Sequence, residues 1–143
     1  MDTFKTAIMF LFLVLLAACD EPPELTMETE EEAATGMLGS YSWSYWGGST
    51  NASGPPPDET ITIMDMEALS TEAGETVSYT FGDGSNPEVE AQLWESEGPV
   101  EALGTDNGEI QMPEEPGLYP IGVTANWPDS SNRAMYTFLV DVE

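Results

Sequence analysis

The sequence predicts an all-β domain of two packed sheets, built from about seven strands. From residue 37 onward apolar and polar residues alternate with a period of two, which places every second side chain on the same face of a strand. Turn signals rich in Gly, Pro, Asp and Asn separate these alternating runs. The number of runs and their spacing in residues 37–143 are typical of a β-sandwich.

The expected strands are, in chain order, YSWSY, TITIM, VSYTF, PEVEAQLW, EIQM, LYPIGVTANW and AMYTFLVDV. In the first of them, Tyr41, Trp43 and Tyr45 share one face. The second is a short strand around Ile61 and Ile63. Only DMEALSTEAG is expected to contain a helical turn. The last two strands are joined by the short turn PDSSN and predict a hairpin that closes the domain.

The chain opens with a segment that is typical of an export signal. Residues 7–18, AIMFLFLVLLAA, are almost purely apolar, and they are too few for the roughly 20 residues that a membrane-spanning helix requires. Lys5 supplies the positive flank of a signal peptide, although Asp2 weakens it. The run closes on Leu16-Ala17-Ala18-Cys19, which resembles a bacterial lipobox.

The lipobox resemblance implies a specific modification of Cys19. Residues 1–18 would be a lipoprotein signal peptide, and the Cys19 thiol would carry a diacylglyceryl group. Cleavage before Cys19 would then free an amine that is often acylated, for example with palmitate. An ordinary signal peptide with a chance cysteine and an uncleaved anchor are the alternatives.

An acidic segment follows Cys19 and is expected to be a disordered tether. DEPPELTMETEEEAATG contains seven acidic residues, two prolines and few large apolar side chains, so that it should repel itself and stay extended. A short helix with Thr29 and Glu32 as a capping box is the alternative. The expected organisation is a signal peptide over residues 1–18, a lipidated tether over 19–36, and a sandwich domain over 37–143.

The charge balance excludes some classes of partner. The chain has 2 Lys and Arg against 27 Asp and Glu, for a net charge of -25. Nucleic acids and anionic lipid head groups require basic residues to neutralise phosphate, so neither is expected to bind directly to the domain. Cations and basic peptides would be attracted instead. Adaptation to a saline or alkaline habitat and simple solubility are both open as reasons for the acidity.

The closing hairpin carries a second resemblance. PGLYPIGVTANW followed by AMYTFLVDV resembles the end of bacterial immunoglobulin-like, PKD-like and fibronectin-like domains, where a Pro-Gly-x-Tyr element enters the penultimate strand. Pro116, Gly117 and Tyr119 match that element, which implies that the Tyr119 ring packs at a corner between the sheets. YTFGDGS is similar to the PKD signature, but the interval to Gly117 is too long, and Gly82-Asp83-Gly84 is interpreted as a hairpin turn.

Little catalytic chemistry is left to the mature chain. It has no His, Cys19 would be lipidated and Lys5 removed, which excludes Cys or His nucleophiles, Schiff bases and His/Cys metal sites. We therefore expect no enzyme and no cofactor. Weak candidates for Ca²⁺ ligands are the turn residues Asp83, Asp106, Asn107 and Glu109, for which solvated turns are the simpler interpretation.

Together these features resemble those of small lipoproteins of Gram-positive bacteria, which implies that the chain lies on the extracytoplasmic face of the cell membrane. Its immunoglobulin-like domain would act by binding a protein, a cation or a cell-wall ligand. Trp46, at the start of the loop WGGSTNASGPPPDE, is the candidate for an exposed binding residue. The alternatives are an accessory subunit of a membrane transporter or sensor complex, and an acidic structural protein of the surface.

Overall fold

Two antiparallel β-sheets packed face to face form the architecture of the computed structural model, which describes residues 21–143. The first sheet contains, in spatial order, β2 (Ala33–Thr35), β1 (Leu25–Glu28), β6 (Thr76–Phe81), β10 (Glu109–Gln111) and β9 (Thr105–Asp106). The second contains β4 (Gly48–Ala52), β3 (Met37–Tyr45), β12 (Arg133–Val142), β11 (Gly117–Asn126), β7 (Glu88–Glu95) and β8 (Gly98–Leu103). The short strand β5 (Leu69–Thr71) pairs in parallel with β12, and α1 (Pro57–Met64) lies outside the sheets.

The all-β sandwich predicted from the sequence is confirmed. The strand orders β6-β10-β9 and β12-β11-β7-β8 are those of strands B-E-D and G-F-C-C′ in immunoglobulin-like domains. The described residues form twelve strands, more than the seven expected. The additional strands are only two to six residues long, which is too short for alternation to reveal them.

The predicted closing hairpin is also confirmed, and it forms the centre of the larger sheet. β11 and β12 pair over ten residues each, from Gly117 opposite Val142 to Asn126 opposite Arg133. Five successive residues of β11, Ile121 to Ala125, are buried because both faces of the strand are covered. The inner face meets the other sheet, and α1 packs over the outer face. A Cβ on Gly122 would lie 2.6 Å from Trp94 Nε1 and 3.1 Å from Pro57 Cγ.

The core lies between the two sheets and is almost entirely apolar. Its most deeply buried side chains are Leu25, Met27, Val77, Ile110, Met112, Ile121, Val123, Tyr136, Phe138, Val140 and Val142. They come from strands of both sheets, as expected when the inner faces of two sheets interdigitate. Because the chain has no cysteine after Cys19, this packing holds the domain together without disulfides.

The disordered tether expected over residues 19–36 is wrong from Leu25 onward. Leu25 and Met27 are fully buried, and β1 pairs with β6 from Leu25 opposite Phe81 to Glu28 opposite Ser78. The sandwich therefore begins well before residue 37. Two apolar side chains at alternate positions are enough to fill core space, while Thr26 between them is partly buried and Glu28 after them is exposed. Residues 1–20, with the predicted signal peptide and Cys19, lie outside the described residues.

The capping box suggested for Thr29 and Glu32 is a turn between two strands. The Thr29 hydroxyl oxygen accepts hydrogen bonds from the backbone N–H groups of Glu31 and Glu32, at 3.3 and 3.0 Å. These bonds close the connection between β1 and β2, and no helix follows. The same side-chain geometry that caps a helix can also stabilise a tight turn.

The strand expected at TITIM is wrong, because this segment forms α1. Pro57 occupies the first turn of the helix, and the acidic Asp58 and Glu59 follow it, which are favourable features at a helix N-terminus. Ile61 and Ile63 alternate as residues of a strand do, but they do not form a buried face, since Ile63 is 65% exposed. The helical turn expected in DMEALSTEAG is also wrong: that segment contains β5 and a turn closed by the Glu75 N–H to the Glu72 carbonyl.

Candidate functional site

Three connections and the first described residues meet at one end of the sandwich. They are the β3–β4 turn, the β6–β7 loop and the β11–β12 turn, and the register pairs of Leu25 with Phe81 and of Arg133 with Ser42 place them together. We call this the tryptophan end, because Trp43, Trp46 and Trp127 lie there. It includes Trp46, the aromatic residue that the sequence offered as a candidate for binding.

The interior of the tryptophan end is a network of aromatic rings. Trp43 and Trp127 meet edge to face with ring centroids 4.9 Å apart. Phe81 contacts Trp127 at 5.5 Å and Tyr136 at 6.0 Å in the same arrangement. Edge-to-face pairs of this kind add roughly 0.5–1.5 kcal/mol beyond the area that they bury. Trp43 and Trp127 therefore serve the architecture of this end and are not free to contact a ligand.

Asp83, one of the predicted Ca²⁺ candidates, is engaged in a hydrogen-bond chain at the tryptophan end. Its carboxylate accepts bonds from the backbone N–H and the hydroxyl of Ser85, at 2.9 and 2.6 Å. The Ser85 hydroxyl oxygen in turn accepts a bond from Trp127 Nε1 at 3.0 Å. Gly82-Asp83-Gly84 is a turn, as expected, but it carries the chain from one sheet to the other and does not close a hairpin.

Tyr136 attaches the first described residues to this end. Its hydroxyl donates a hydrogen bond of 2.6 Å to the carbonyl oxygen of Pro23, and the neighbouring Pro22 is buried. Burial raises the pKa of Tyr136 above its usual range, and the nearby Asp83 carboxylate raises it further. In the sequence, Tyr136 is one of the alternating residues of the expected strand AMYTFLVDV. No local signal could have found this bond, because its partners are far apart in the chain.

Trp46 stands alone at the tip of the β3–β4 hairpin and is 99% exposed. Tyr45 pairs with Gly48, so Trp46 and Gly47 form the turn, and the positive φ of Gly47 (99°) is one that glycine adopts readily. Ser44 N–H donates a bond of 2.8 Å to Asn132 Oδ1, which ties the hairpin to the β11–β12 turn. The exposure expected for Trp46 is confirmed, although the long loop expected after it contains β4 and the start of α1.

The other Ca²⁺ candidates lie in a separate turn. Asp106 and Glu109 are paired across β9 and β10, and between them Asn107 and Gly108 have positive φ values of 47° and 79°. This is the backbone of a two-residue hairpin turn, for which Asn-Gly is a favoured sequence. Within residues 21–143 no group of three or more Asp, Glu, His or Cys side chains is arranged to hold a metal ion.

Tyr119 occupies the opposite end of the sandwich and makes the contact that the hairpin resemblance implies. Its hydroxyl donates a hydrogen bond of 2.8 Å to the carbonyl oxygen of Glu115, four residues upstream. The ring is half-buried, packs against the core and lies over Gly117, whose Cα leaves room for it. This geometry is that of a tyrosine corner, so Tyr119 belongs to the architecture.

Two shallow grooves lie along the flanks of the sandwich. One, of about 550 Å³, runs between β2 and the segment after α1, and Met37, Met64 and Met66 line it. The other, of about 600 Å³, lies beside β8 and is lined by Val100, Leu103 and Tyr119 among others. Methionine side chains adapt their shape readily, so the first groove suits an apolar contact with a partner better than it suits the placement of a reacting group.

In comparisons with known proteins, the chain matches no family model, no curated protein and no solved structure. None of the helices formed by the described residues is long and apolar enough to cross a membrane.

Proposed function

We propose that this chain is a lipoprotein anchored to the outer face of the cell membrane, whose sandwich domain acts by binding and not by catalysis. The observation that carries the proposal is the apolar run closed by Leu16-Ala17-Ala18-Cys19. Cys19 is the only cysteine, and it lies three positions before Pro22, where the buried part of the domain begins. A lipid on Cys19 would place the domain next to the bilayer.

The side chains that remain after processing support a binding role. The chain has no His, and residues 21–143 have no Lys and one Arg, Arg133. Nucleophilic catalysis by Cys or His, Schiff-base catalysis by Lys and activation of a hydroxyl by a His base therefore lack their residues. The domain instead offers two exposed edge strands, β4 and β8, and the two flanking grooves. Edge strands and surface grooves are common sites of peptide and protein recognition. The strongly acidic surface favours a cationic or basic partner.

The anchor is tested by metabolic labelling of the full chain in a bacterial host with an alkyne fatty acid. The wild-type protein should incorporate the label and fractionate with membranes, and Cys19→Ser should lose the label and accumulate as the larger precursor. A matched control carries Cys19→Ser together with Ser49→Cys, which restores a thiol at an exposed position. This control should also remain unlabelled. Equal labelling of wild type and Cys19→Ser would reject the proposal.

A further inference from the structure

The path of the chain between Cys19 and the domain is very short. Pro22 is buried and the Pro23 carbonyl is bound by Tyr136. A fully extended chain spans at most about 3.6 Å per residue, so the Cα atoms of Cys19 and Pro22 are within about 11 Å of each other. The two ten-residue strands β11 and β12 extend for roughly 30 Å toward the opposite end at about 3.3 Å per residue. A lipid on Cys19 would therefore hold the tryptophan end, and not the opposite end, close to the bilayer.

Trp46 projects from that same end. It is 99% exposed, although the hairpin that carries it is held to the β11–β12 turn by the Ser44–Asn132 bond. Tryptophan is enriched at membrane–water interfaces, because its ring is apolar and its indole N–H can bond to water or a head group. Trp46 therefore has the chemistry of an interfacial anchor. It is exposed on a hairpin that a hydrogen bond holds in place, and it lies near the residues that follow the lipidated segment.

Acidic residues are more numerous at the end of the sandwich that this arrangement places away from the membrane. The connections at the opposite end contain nine glutamates: Glu30, Glu31, Glu32, Glu72, Glu75, Glu97, Glu114, Glu115 and Glu143. The connections at the tryptophan end, with residues 21–24, contain four acids: Glu21, Glu24, Asp83 and Asp129. Asp106 and Glu109 flank the β9–β10 turn, which the pairing of β10 with β6 directs toward the same end. Arg133, the only basic residue in 21–143, also lies at the tryptophan end. An anionic leaflet would repel both ends, but it would repel the more acidic end more strongly and so favour the orientation with the tryptophan end toward the lipid.

We propose that the tryptophan end is the membrane-facing surface of the domain and that Trp46 inserts into the interfacial layer of the lipid. The proposal rests on the lipid anchor at Cys19. It makes Trp46 a lipid contact and leaves the opposite end and the flanking grooves pointing away from the membrane, where a partner can reach them.

The test uses the lipidated full-length protein in vesicles of phosphatidylcholine and phosphatidylglycerol. Since Cys19 is lipidated, Ser49→Cys beside Trp46 or Glu97→Cys at the opposite end supplies the single free thiol, and both positions are exposed. A fluorophore on each thiol is quenched by lipids that carry a nitroxide on the head group. We expect quenching at position 49 to exceed that at position 97 several-fold. Equal quenching, or stronger quenching at position 97, would overturn the proposal.

The contribution of Trp46 itself is read from two further variants in the Ser49→Cys background. Trp46→Ser should reduce the quenching and shift the emission toward that of the fluorophore in water. Leu118→Ser removes an apolar side chain that is 61% exposed at the opposite end and should change neither quantity. Unchanged quenching in Trp46→Ser would show that Trp46 does not contact the lipid. Failure of the protein to remain on the vesicles would instead contradict the lipid anchor, so the two proposals fail in different ways.

Discussion

Tyr119 is the residue for which a sequence motif and an observed contact agree most directly. Tyr119→Phe removes the bond to the Glu115 carbonyl and should lower the free energy of unfolding by about 0.5–1.5 kcal/mol. Tyr119→Ala also removes the ring. Because the ring is half-buried, we expect a loss of roughly 2–3 kcal/mol, less than the 3–5 kcal/mol of a fully buried aromatic residue. Urea denaturation of the three proteins measures these losses, and unchanged midpoints in both variants would exclude a structural role.

Because of Tyr136, we expect the domain to lose stability as the pH rises in the alkaline range. The folded-state pKa of Tyr136 is raised by burial and by Asp83, whereas an unfolded tyrosine ionises near pH 10. The stabilisation is therefore complete below about pH 10 and is lost as the pH rises from there toward the folded-state pKa, because only the unfolded chain releases the proton. Each tyrosine protected in this way should lower the free energy of unfolding by at most about 1.4 kcal/mol per pH unit.

The pH effect is measured from urea midpoints between about pH 8 and about pH 11, with tyrosinate absorbance followed in parallel. Tyr136→Phe should be less stable near neutral pH, since the Pro23 carbonyl loses its donor, but its stability should fall less steeply at alkaline pH. Tyr79, whose pKa is also raised by burial, should account for part of the remaining slope. A slope that Tyr136→Phe leaves unchanged would contradict this assignment.

Among the elements, β1 decides where the folding unit begins. A fragment of residues 37–143 lacks Leu25 and Met27, exposes the edge of β6 and leaves Tyr136 without the Pro23 carbonyl. We expect it to lose the cooperative thermal transition that a fragment of residues 21–143 retains, as followed by circular dichroism. In the longer fragment Leu25→Ala should cost about 2–5 kcal/mol, whereas Glu28→Ala on the exposed end of the strand should be nearly neutral. Equal melting transitions of the two fragments would show that residues 21–36 do not stabilise the domain, as expected of a disordered tether.

The packing of α1 against β11 depends on the absence of a side chain at Gly122. An added Cβ would lie 2.6 Å from Trp94 Nε1, so Gly122→Ala must displace the indole or the helix. Overpacking of this kind costs about 1–3 kcal/mol. Gly39→Ala is the matched control, since its Cβ would meet only the Met135 carbonyl oxygen at 3.5 Å. Thermal melts of the two variants separate the effect of the contact from the effect of replacing a glycine.

At the scale of the whole molecule, the net charge of -25 opposes folding through the mutual repulsion of carboxylates. Screening becomes effective when the Debye length falls to about 10 Å, near 0.1 M salt. We expect the melting temperature to rise with NaCl through this range. CaCl₂ at equal ionic strength should have a similar effect if Asp106 and Glu109 are only solvated turn residues. A much larger increase with CaCl₂ would reveal a specific cation site, and no increase with either salt would show that repulsion does not limit stability.

The sequence by itself determined the sandwich class, the β11–β12 hairpin and the exposure of Trp46, and the resemblance of the hairpin to known domains implied the tyrosine at its corner. Each depends on neighbouring residues, since alternation sets the two faces of a strand and a short turn sets the register of a hairpin. The tertiary structure alone decided that TITIM is a helix covering β11, that Leu25 and Met27 fill the core, and that the β6–β7 turn crosses between sheets. The bond from Tyr136 to Pro23 joins residues 113 positions apart. Such contacts depend on which surfaces remain uncovered after the sheets have packed, and local patterns do not contain that information.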